Sequence, residues 1–70
     1  MNKNDMVDEL EDAIRLFLQH RTKDLYNDAV SIYQEVTMAI PDFPYPWTEI
    51  REIVRHSDVG SLKEMVSKEI

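Results

Sequence analysis

Residues 5–40 read DMVDELEDAIRLFLQHRTKDLYNDAVSIYQEVTMAI. The stretch holds no glycine and no proline, and its apolar residues recur at intervals of three and four. That is the spacing of a helix face rather than of a strand. Val7, Leu10, Ile14, Phe17 and Leu18 share one face, with Met6 and Ala13 at its edge. The spacing therefore predicts a first helix over about 5–20, with Asn4 as its N-cap. The interruption is Gln19-His20-Arg21-Thr22-Lys23-Asp24, where Thr22 can cap a second helix and Asp24 suits its positive end. So short a connection makes the two helices an antiparallel hairpin.

The second helix, predicted over about 23–39, has a stripe of Leu25, Ala29, Ile32, Val36 and Ala39, widened by Tyr26, Val30 and Tyr33. A helix apolar around half its circumference needs cover on two sides, which places it at the centre of the domain. Pro41 ends it, because the residue before a proline is pushed out of helical geometry. Residues 41–46 read Pro-Asp-Phe-Pro-Tyr-Pro, and Pro46 suits the first turn of a third helix carrying Trp47, Ile50, Ile53 and Val54 on one face. Ser57-Asp58-Val59-Gly60 interrupts that helix. Ser61-Leu62-Lys63-Glu64 then has the form of a capping box opening a short fourth helix with Leu62, Met65, Val66 and Ile70 on one side. The expected fold is all-α, a single domain over 1–70: a small bundle of two long antiparallel helices and two short C-terminal helices.

Composition bounds what such a domain can do. Seventy residues allow one core, and the absence of cysteine removes disulfides, thiol nucleophiles and cysteine-ligated zinc. The same absence suits a reducing cytoplasm, and no apolar run is long enough for a signal peptide or a membrane span. We expect a cytoplasmic protein with no membrane partner. The net charge is −6, and both halves of the chain are acidic, so neither offers the basic stripe that phosphate contacts require. Residues 52–70 have the outline of a helix-turn-helix, yet Lys63 and Lys68 are offset there by Glu64 and Glu69. Direct nucleic-acid binding is disfavoured. The inverse, a nucleic-acid mimic with carboxylates placed where phosphates would sit, uses the same charge in the opposite sense.

Catalytic signals are weak. His20 and His56 fall near predicted helix C-termini, where an imidazolium suits the dipole, and neither has a nucleophile motif or a Gly-rich phosphate cradle near it. Asp8 with Asp12, and Asp24 with Asp28, have a four-residue spacing that is a poor metal signal without a histidine or a rigid loop. No catalytic residue, metal or cofactor is expected.

Surfaces remain. Asp5, Asp8, Glu9 and Asp12 occupy one arc of the first helix opposite its core face, and Leu16 projects from the same arc. An acidic rim around an apolar contact is the form of a partner-binding surface. The rings of Phe43, Tyr45 and Trp47 serve either as a lid on the small core or as an exposed anchor for a partner. Met38, outside the apolar arc, can join Phe43 and Tyr45 in an adaptable patch or fill a gap beneath the loop. The expected function is a non-enzymatic interaction module, a regulator, inhibitor or adaptor that occupies a surface on a larger protein. The nucleic-acid mimic is the first alternative and a helix-turn-helix DNA binder the second. A homodimer through the wide arc of the second helix is the other partnership the pattern allows.

Overall fold

The computed structural model describes residues 3–58 and 60–69, so Ile70, expected on the apolar face of the fourth helix, lies outside the described residues. All regular structure among them is helical: α1 Lys3–His20, α2 Lys23–Ala39, α3 Trp47–His56 and α4 Ser61–Glu69. The two long helices pack against each other as a hairpin, and the two short ones follow. Asn4, expected as the first N-cap, is already helical. At the hairpin turn Arg21 adopts φ 54 and donates its amide to the Phe17 carbonyl at 2.7 Å, closing α1 with a left-handed residue. Thr22 then caps α2, its Oγ1 accepting from the Leu25 amide at 3.3 Å. Ile40 leaves helical geometry before Pro41. Pro46 is the N-cap of α3 rather than a first-turn residue, its carbonyl accepting from the amides of Glu49 and Ile50 at 3.1 and 2.9 Å.

The centre of the domain is α1, where the sequence pattern had placed α2. The helices α2, α3 and α4 each pack on α1, and the core gathers Val7, Leu10 and Ile14 with Ala29, Val36, Ile40, Ile50, Val54, Leu62 and Val66. The physical reason is Glu11. It stands four residues after Val7 and three before Ile14, so it lies on the core stripe, and it is only 1% exposed.

A buried carboxylate must find donors. Glu11 finds them at the start of α4: its Oε2 accepts from the Gly60 amide at 2.9 Å and its Oε1 from the Leu62 amide at 3.0 Å. Arg15, one turn further along α1, donates from Nε to Glu11 Oε2 at 3.2 Å and from Nη2 to the Ser57 carbonyl at 2.7 Å. One acid thus meets the positive end of α4, and one guanidinium the negative end of α3. The expected capping box at Ser61 is replaced by this cap from α1, since Ser61 is itself helical. Burial alone would raise the Glu11 pKa, but the two amides and Arg15 outweigh it and hold the carboxyl below its ordinary range.

The wide arc of α2 is covered largely by aromatic rings, drawn from α1, from the Pro-aromatic segment and from the start of α3. Centroid contacts run from Phe17 to Tyr26 (5.3 Å), Tyr26 to Trp47 (5.8 Å), Trp47 to Tyr33 (5.5 Å), Tyr33 to Phe43 (6.0 Å) and Phe43 to Tyr45 (5.9 Å). The chain's two Phe, three Tyr and one Trp all belong to this series. Edge-on geometry predominates, as the ring quadrupoles favour. Tyr33 Oη donates to the Tyr45 carbonyl at 2.9 Å, which ties the Pro-aromatic segment to α2. The Arg51 guanidinium lies 5.5 Å from the Phe17 centroid and 5.9 Å from that of Trp47.

Two measurements test this packing. Gly60 has φ +86 and open space around its Cβ position, so Gly60→Ala should cost about 1–2 kcal/mol in urea unfolding, from backbone strain alone. Because the folded pKa of Glu11 is lowered, its stabilisation is complete above the unfolded value of about 4.3 and is lost as pH falls through the lower folded value. The stability gap between the native chain and Glu11→Gln should therefore be widest near neutrality and should shrink on acidification below about pH 4.

Candidate functional site

α3 and α4 cover one side of the α1–α2 hairpin and the ring series covers the outer flank of α2, which leaves the opposite seam between α1 and α2 open. Two adjoining hollows lie along it, of about 380 Å³ and about 290 Å³. They share Glu9 and Ile32 and so form one groove. Its floor is apolar: Ala13, Leu16, Leu25 and Ile32 at one end, Met6 and Val36 at the other. Leu16 is 47% exposed, whereas Ala13, Leu25 and Ile32 are half-buried.

The rim is acidic on both banks. Glu9 and Asp12 stand on α1 and Asp28 and Glu35 on α2, and no Lys or Arg is among the lining residues of either hollow. This placement follows from helix geometry. Positions 9, 12, 13 and 16 share one arc of α1 turned away from its core stripe, and 25, 28, 32 and 35 share one arc of α2. Where the two stripes fail to meet completely, apolar side chains stay half-open and carboxylates take the solvent edge.

The structure divides the acidic ridge. Glu9, Asp12 and Leu16 are brought together on the groove. Asp8 turns to the other side, where its Oδ2 pairs with Lys63 Nζ of α4 at 3.4 Å, and Asp5 is exposed near the start of α1. The Pro-aromatic residues Phe43, Tyr45 and Trp47 are half-buried and packed against the core. Met38 is 81% exposed, so it fills no gap beneath the loop. It follows the buried Val36 by two residues, about 200° around the helix.

The spacing of Leu25, Ile32 and Ala13 reads as core and does not mark them as groove residues. Their signal is the excess width of the α2 stripe, whose other flank the rings cover. His20 and His56 close α1 and α3 and are exposed, with His56 Nε2 3.5 Å from Glu52 Oε2. Neither lines the groove. The lysine that would lead a DNA-reading α4, Lys63, is the one engaged with Asp8. No helix among the described residues is long and apolar enough to cross a membrane. Comparison with protein-family models, with curated proteins and with solved structures finds no match to this chain.

Proposed function

We propose that this chain is a non-enzymatic interaction module, a regulator, inhibitor or adaptor that docks on a larger protein through the α1–α2 groove. The observation that carries the reading is an apolar floor with acids on both banks and no base among the lining residues. Exposed apolar area of this kind is stabilised by being covered, and a charged rim sets orientation and partner choice. The Pro-aromatic corner is a weaker candidate, because its rings already contact one another and Tyr33 holds the Tyr45 carbonyl. A phosphate mimic needs a row of carboxylates and gains nothing from an apolar floor, so the groove favours a protein partner over mimicry of nucleic acid.

Affinity capture with the native chain and with groove variants tests the reading. Leu16→Gln and Asp12→Lys alter solvent-facing side chains and should leave thermal unfolding nearly unchanged, within about 0.5 kcal/mol. Both should lose the captured protein, while Met38→Gln should retain it. Retention by the two groove variants together with loss in Tyr45→Ala would move the contact to the Pro-aromatic corner.

A further inference from the structure

The occupant of the groove can be specified by its chemistry, on the reading that the α1–α2 face is the contact surface. We infer that the groove receives a basic amphipathic α-helix of the partner, laid along the seam as a third helix against α1 and α2. Three features of the groove point to this occupant. Its walls are two helices whose backbone groups are already paired internally, so no sheet edge is offered to an extended peptide, and side-chain packing is the available mode. Its lining runs from Met6 to Leu16 on α1 and from Leu25 to Val36 on α2, a length of about 15 Å, or about three helical turns. Apolar side chains at i, i+3 or i+4, and i+7 of an incoming helix would sit over Met6, Ala13, Leu16, Leu25 and Ile32.

Charge decides the flanks. A helix lying between Glu9 and Asp12 on one bank and Asp28 and Glu35 on the other presents its two side stripes to carboxylates on both sides. Lysine or arginine in those stripes can bury its methylenes along the groove edge and keep its charge at the rim. A second copy of this chain is a poor occupant. Its net charge is −6, and pairing groove to groove would set these four acids against the same four acids. Anionic lipid and nucleic-acid phosphates meet the same repulsion.

The probe is a fourteen-residue peptide of leucine and lysine patterned with leucine on one helix face, compared with a composition-matched scramble and with a peptide carrying glutamate in place of lysine. Binding is read by fluorescence anisotropy at physiological salt and mapped by amide chemical shifts on the full chain. The patterned lysine peptide should bind, with shifts centred on Met6, Glu9, Asp12, Leu16, Leu25, Asp28 and Ile32. Leu16→Gln and Asp28→Lys should each weaken it about tenfold, and Met38→Gln should not. Equal binding of the scramble, equal binding of the glutamate peptide, or shifts spread over the acidic surface without the groove would overturn the inference. If no patterned peptide binds while the groove variants still lose the captured protein, the helix class falls and the surface stands. If those variants keep the captured protein, the surface falls as well.

Discussion

The carboxylate of Glu11 holds the second half of this domain to the first. An acid taken out of water has to be compensated by donors, and here the donors are the amides that begin α4, with Arg15 beside them. The arrangement works in both directions. α4 is nine residues long, too short to be stable as an isolated helix, and its first amides need acceptors as much as the carboxylate needs donors. Arg15 adds the Ser57 carbonyl at the end of α3. Two residues one turn apart on α1 therefore set where α3 stops, where α4 starts and the angle between them.

That constraint makes α1 the hub and explains the two unlike flanks of α2. With α3 and α4 drawn to α1, the outer flank of α2 is covered by interlocking rings, those of Phe43 and Tyr45 from a segment stiffened by three prolines and that of Trp47 from the start of α3. The inner flank meets α1 only in part, and the seam that results is the groove. Its exposed apolar floor is thus a consequence of how the core is shared, and its acids are the solvent edges of two amphipathic helices. The nearest bases are engaged away from the banks, Arg15 on Glu11 and the Ser57 carbonyl and Lys63 on Asp8.

Much of this architecture could be read from the residues. The break at Gln19–Asp24, the Thr22 cap, the stop at Pro41 and the stripe of Val7, Leu10 and Ile14 depend on neighbours within about one helical turn, and local chemistry governs them. The hub was hidden because Glu11 sits in an acidic run and looks like one more solvated charge. Its amide donors lie 49 and 51 residues away in sequence. Spacing offered one clue, since Glu11 shares the register of Val7 and Ile14. Asp8 left the ridge for the same kind of reason, a lysine 55 residues on. Leu25 and Ile32 read as core because a stripe shows which side is apolar and not whether anything covers it.

If an ionised, amide-bound Glu11 organises the α3–α4 half, its side-chain carboxyl, followed by carbon-detected NMR through an acid titration, should lose its proton below the ordinary glutamate range, and the Gly60 and Leu62 amides should lose exchange protection in step with its protonation. A Glu11 midpoint at or above that ordinary range, or amide protection that survives its protonation, would mean that the carboxylate does not hold the two halves together.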